Sequence, residues 1–126
     1  MSAPRVLIVD DNAFNVELAS FVLEQADFDI ESAANAHEAL QAIPVFRPDL
    51  ILMDIQMPGM DGLALTRLIK QDPVTRSIVV VAFTAYAMKG DEAKFRAAGC
   101  DGYLRKPIEV SRFAAEVRAH LGTAPP

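Results

Sequence analysis

Apolar residues along this chain gather in short runs, and the stretches between the runs show helical spacing. Residues 5–9 predict a strand, β1. Residues 12–26 predict a helix, α1, in which Phe14, Leu18, Phe21 and Val22 recur at helical spacing. Residues 28–33 predict a short β2. Asn35 is placed to cap α2, and Glu38 gives a capping-box-like arrangement. Pro44 falls near the end of that helix, and Arg47-Pro48 marks the turn after it. Residues 50–53 predict β3. Pro and Gly make Met57-Pro58-Gly59-Met60-Asp61-Gly62 a loop. Residues 63–70 predict α3, broken at Asp72-Pro73. Residues 78–83, rich in β-branched side chains, predict β4. Residues 87–98 predict α4, with Gly99 as the residue that ends it. Residues 102–104 predict β5. Residues 110–121 predict α5, where Phe113, Val117 and Leu121 stand one turn apart. The tail, 122–126, is expected to fray.

Strands alternating with helices argue for an α/β fold with a parallel sheet covered on both faces. Right-handed crossovers then bring every strand-to-helix loop to the carboxyl edge, where open sheets of this kind bind ligands. Spacing alone leaves the strand order open.

Composition narrows the class. The chain has 126 residues, of which 52% are hydrophobic and 23% charged, the balance of one globular domain. Its formal net charge of −5, without a stripe of Lys and Arg, speaks against direct nucleic-acid binding. The one cysteine, Cys100, has no partner for an internal disulfide, which is consistent with a reducing compartment. No signal-peptide pattern precedes β1, and the apolar runs are far shorter than the ~20 residues of a membrane span. A cytoplasmic protein is expected. His37 and His120 fall on surface helices and are given no role, and Cys100 reads as inert packing.

The candidate chemistry lies where the apolar runs end. Asp10-Asp11 follows one run, Asp54 a second and Thr84 a third, while Lys106 follows the short fourth and precedes Pro107. A carboxylate beside a buried strand is costly unless a site uses it. Singly, each residue has a plainer reading. The acidic pair suits a helix amino terminus, Lys106 an exposed turn, Thr84 a strand, and Tyr103 a half-buried core aromatic. On one sheet edge, the three carboxylates would repel and call for a divalent cation, for which Mg²⁺ is the natural choice. A nucleophilic aspartate would give an aspartyl phosphate. Asp54 could equally be structural or a passive metal ligand, and charge alone does not decide which strand-end aspartate attacks. Lys106 would favour the ionised form of Asp54 and neutralise phosphoryl oxygens. A cis Lys106-Pro107 bond would aim that side chain into the cleft.

Together these residues resemble the receiver domain of two-component response regulators, over residues 5–121. The motifs are Val9-Asp10-Asp11, Asp49 to Asp54, Met57 to Gly62, Thr84-Ala85 and Lys106-Pro107, in order and at family-like intervals. Residues 85–91 further resemble the single-domain, cell-cycle type of regulator, and also receivers attached to hybrid kinases. The resemblance implies a flavodoxin-like (βα)5 doubly wound sheet in the order 2-1-3-4-5. It implies Asp54 as phosphoacceptor, and Mg²⁺ held by Asp11, Asp54 and the Gln56 carbonyl, with Asp10 holding a water ligand. Thr84 and Lys106 would bind the phosphoryl group, while Thr84 and Tyr103 would move as the switch. Gln56 and Tyr86 would tune the lifetime, with Tyr86 partly screening the acyl phosphate from water. The implied partners are a sensor histidine kinase or histidine phosphotransfer protein, meeting α1 near Phe14 and Asn15, and a downstream protein. The downstream protein would meet the α4–β5–α5 face, to which Lys89, Lys94, Arg96, Tyr103 and Arg105 contribute. Met57 and Met60 read as loop packing, and Glu109 takes the N-cap position of α5, where Ser or Thr is more usual.

The resemblance implies a signalling switch that would catalyse only its own phosphorylation and dephosphorylation. The start at Met1 and the short tail favour a free-standing regulator over a receiver fragment of a hybrid histidine kinase. An unphosphorylated receiver-like adaptor would be expected to lack a member of the acidic pair, Asp54 or Lys106. A haloacid-dehalogenase-type phosphatase would place an acid where this chain has Gln56. A flavodoxin would place a hydroxyl- and glycine-rich loop where it has Asp10-Asp11-Asn12.

Overall fold

The computed structural model describes residues 3–57, 61–85 and 90–122. Its strands are β1 (Arg5–Val9), β2 (Asp29–Ala33), β3 (Leu50–Asp54), β4 (Val79–Thr84) and β5 (Gly102–Arg105). They pair in parallel, in the order β2-β1-β3-β4-β5. The order is the one the resemblance implied. The helices are α1 (Ala13–Gln25), α2 (Ala36–Phe46), α3 (Gly62–Gln71), α4 (Asp91–Ala98) and α5 (Phe113–Leu121).

Every residue of β3 and β4 is buried, because each strand has a neighbour on both edges and helices on both faces. The period of two divides their side chains between two cores. Leu7, Val9, Ile51, Met53, Val80 and Ala82 pack with Ala39, Ile43, Leu65, Ile69 and Phe95 of α2, α3 and α4. Val6, Ile8, Leu50, Leu52, Val79, Val81 and Phe83 pack with Ala19, Val22, Leu23, Phe113 and Val117 of α1 and α5. Each large aliphatic side chain so buried contributes about 1.5–3 kcal/mol. The predicted runs were apolar throughout for this reason.

Caps set where the helices begin. Asn12 lies outside α1 as its cap, accepting from the Asn15 N–H at 3.1 Å. Asn35 accepts from the Glu38 N–H at 2.9 Å, while Glu38 reaches back to the Ala34 N–H at 3.0 Å. Within the described residues α4 begins at Asp91, after Gly90 in the left-handed region (φ 99°). The first three residues of the predicted α4, 87–89, lie outside the described residues.

The start of α5 differs from expectation. Its cap is Arg112, not Glu109. Glu109 instead offers its carbonyl to the Arg112 and Phe113 N–H groups, at 3.0 and 2.9 Å, which closes a turn over the residues where the helix was expected to start. Val110 is 58% exposed and so stands outside the buried stripe, which begins at Phe113 against Phe83, with ring centroids 5.8 Å apart. His120 also departs from the surface position expected of it. It is half-buried over Gly102, where an added β-carbon would stand 2.4 Å from its ring.

Candidate functional site

Parallel pairing puts all strand carboxyl ends on one edge. The sheet changes direction between β1 and β3, since β2 lies on one side of β1 and β3, β4 and β5 on the other. Clefts of doubly wound sheets form at such a point. Asp10 and Asp11 follow β1, and Asp54 ends β3, so the carboxylates flank that cleft.

The side chains converge. Asp10, Asp11 and Asp54 each offer a carboxylate oxygen, and these atoms lie within 4.8 Å of one another. Asp10 and Asp54 are buried and Asp11 is exposed, so the cluster opens to solvent on one side. Asp10 is anchored twice: its N–H donates to the Ala33 carbonyl at 3.0 Å, and its Oδ1 accepts from the Asn12 N–H at 2.9 Å. Asp54 Oδ1 accepts from the Gln56 N–H at 3.1 Å. Thr84, the last residue of β4, is buried, and its carbonyl accepts from the Lys106 N–H at 2.9 Å. The Lys106-Pro107 bond is cis.

Lys106 was expected beside Asp54, and it is, with Nζ 3.5 Å from Asp54 Oδ1. Its nearer partner is Asp10 Oδ2, at 2.7 Å. Sequence reasoning also passed over Phe83, whose ring centroid lies 5.0 Å from the same ammonium. Phe83 read only as a strand residue, although its position just before Thr84 was signal enough to place it at the site. A cation over an aromatic face is attracted to it, and the ring screens the ammonium from water.

Asp54 is electrostatically poised. Burial pushes its carboxyl up to about 6 from an ordinary 3.8, and Asp10 and Asp11 push the same way. The Gln56 N–H and Lys106 pull against this. One ammonium therefore does not offset three carboxylates. Asp10 Oδ2 is buried and its one close partner is the Lys106 ammonium, at 2.7 Å. Clustered hard oxygens and excess negative charge are what a small divalent cation would satisfy, so the donor set fits Mg²⁺.

Other expected residues are placed as follows. Tyr103 is half-buried, with its ring centroid 6.1 Å from that of Phe95. Gln56 is exposed, and Met57 is packed against the α2–α4 core. Arg96 pairs with Glu92 at 3.1 Å. Tyr86, Lys89 and Met60 lie outside the described residues. Burial pushes the Cys100 thiol up to about 11, in keeping with an inert packing role.

No helix among the described residues is long and apolar enough to cross a membrane. The polar-differentiation response regulator DivK of Brucella anthropi is 44% identical over 119 residues, covering 94% of this chain and 97% of the relative. The signal receiver domain of a signal transduction histidine kinase from Syntrophus aciditrophicus superposes with a TM-score of 0.84 at 33% identity, covering 95% of this chain and 91% of that one. A CheY-like receiver domain protein from Methanospirillum hungatei gives a TM-score of 0.85 at 29% identity, covering 96% and 95%. The response regulator receiver domain family matches residues 6–118. Phosphorylation on aspartate, Mg²⁺ binding and interaction with histidine kinases and downstream partners are typical of that family, whose members act as signalling switches. This chain, with its carboxylates and lysine gathered at the crossing point of a 2-1-3-4-5 sheet, belongs to the response regulator receiver domain family.

Proposed function

We propose that this chain is a cytoplasmic, single-domain regulator that takes a phosphoryl group onto Asp54 from a phosphohistidine. The observation that carries the reading is the meeting of Asp10, Asp11 and Asp54 oxygens within 4.8 Å, with the Lys106 ammonium 2.7 Å from Asp10 and 3.5 Å from Asp54. Asp10, Asp11, Asp54 and the Gln56 carbonyl would hold Mg²⁺, which when bound neutralises charge on the transferring group.

The remaining chemistry belongs to the chain. An Asp54 carboxylate oxygen attacks phosphorus, forming a P–O bond as the P–N bond breaks. The electron pair leaves with the imidazole nitrogen. The Gln56 N–H holds Asp54 Oδ1 in place for this attack. Lys106, shielded on one side by Phe83, gives its positive charge to the phosphoryl oxygens, and Thr84 gives its hydroxyl. Phosphorylation turns one negative charge into about two and adds strong acceptors. Thr84 and Lys106 would follow these acceptors and Tyr103 would turn inward, changing the α4–β5–α5 face that a downstream protein meets. Gln56 and Tyr86 would set how long the acyl phosphate lasts.

Incubation with Mg²⁺ and acetyl phosphate, followed by intact mass, tests the reading. Wild type should gain one phosphoryl group, and Asp54→Asn should gain none. A wild type without the gain, or an Asp54→Asn variant that keeps it, removes Asp54 from the role.

A further inference from the structure

We infer that Gly62 is a positioning residue for the phosphoacceptor: its bare α-carbon lets the first turn of α3 rest against the Asp54 carbonyl. The inference rests on the role proposed for Asp54. A β-carbon at Gly62 would stand 2.1 Å from the Asp54 carbonyl oxygen, 2.9 Å from its carbonyl carbon and 3.0 Å from the Ile55 α-carbon. All three are backbone atoms at the end of an interior strand, so no flexible side chain can move aside. Gly62 has no positive φ, so the close approach, not a left-handed backbone, is the reason for glycine.

The glycine is gripped from several sides. Its N–H donates to the Ile55 carbonyl at 3.3 Å. Its own carbonyl accepts from the hydroxyl of the fully buried Thr66, at 2.7 Å. Asp61 fixes the start of the helix by accepting from the Ala64 N–H at 2.8 Å. The end of β3 and the first turn of α3 are thus tied directly to each other. The Asp54 carboxylate, and the Gln56 N–H that holds it, are carried at that junction. Restoring ordinary contact after adding a methyl group at Gly62 takes a shift of about 1 Å, a misplacement that can cost about a hundredfold in a positioned reaction.

Gly62→Ala is the direct test, with Gly99→Ala as the control. Gly99 has φ 106° and would set a β-carbon 2.8 Å from Lys70 Cγ, so its replacement strains the fold away from the site. The phosphorylation rate with acetyl phosphate and the Mg²⁺ concentration for half-maximal rate are measured well below each melting temperature. Gly62→Ala should lose at least tenfold in rate and need more Mg²⁺, while Gly99→Ala keeps wild-type values at a lowered melting temperature. A folded Gly62→Ala protein with wild-type rate and Mg²⁺ dependence overturns the inference. Should Gly62→Ala fail to fold, Thr66→Val and Thr66→Ser decide. Valine, which releases the Gly62 carbonyl, should slow phosphorylation and serine should restore it; a wild-type rate in Thr66→Val overturns the inference. A wild type that takes no phosphoryl group removes the Asp54 role, and the inference with it.

Discussion

Asp54 holds its proton more tightly in the folded chain than in the unfolded one. Its folded value of about 6 lies above the ordinary 3.8, so folding favours the protonated form. The carboxyl is neutral in both states well below pH 3.8. The folded state then loses stability as pH rises from 3.8 toward 6, and above that window the cost is complete. It amounts to about 1–3 kcal/mol. Asp54→Asn should therefore melt higher than wild type at pH 7.5 in a chelator, and the difference should shrink as pH falls toward 4. Thermal melts across that range check this, and a variant no more stable than wild type at pH 7.5 would contradict it. At this scale the chain was readable where polar residues ended apolar runs, which is how Asp10, Asp11, Asp54, Thr84 and Lys106 stood out. The preference of Lys106 for Asp10 was not readable, since it depends on where a long side chain reaches across two strands. The approach of Gly62 to the Asp54 carbonyl was hidden because it joins residues eight apart through backbone contact.

Among the elements, β3 and β4 were legible because burial on both faces leaves no room for polar residues. Strand β2 gave a weaker pattern, Asp-Ile-Glu-Ser-Ala, because an edge strand is half solvated. The start of α5 was misjudged because Val110 fits the helical spacing yet points to water. Helix α3 is pinned at its far end by Lys70, whose ammonium donates to the Ile78 carbonyl at 2.7 Å, the Arg76 carbonyl at 3.2 Å and Asp101 Oδ2 at 2.8 Å. Asp101 Oδ2 also accepts from the Val80 N–H at 2.9 Å, so one clamp joins α3, β4 and the turn before β5. Lys70→Met should cost about 1.5–3 kcal/mol in urea unfolding. The exposed Arg96–Glu92 pair should cost under about 1 kcal/mol when Arg96 becomes Ala. Equal losses would mean the clamp has no special weight.

For the whole molecule, the acidic cleft makes stability depend on divalent cation. A ligand that binds only the folded state stabilises it by about 2.7 kcal/mol at a hundredfold excess over its dissociation constant. Mg²⁺ should raise the melting temperature of wild type, and Asp11→Asn should lose most of that rise, although the exposed Asp11 takes little part in packing. An undiminished rise in Asp11→Asn would place the ion elsewhere.

The sheet's outer margins carry a different consequence. Along β2, Asp29, Glu31 and Ser32 are exposed, and β5 at the other margin is only four residues long, ending in exposed Arg105. Charged or very short rims discourage another sheet from adding on. An interior this apolar is thus flanked by margins that discourage the edge-to-edge pairing from which fibrils grow.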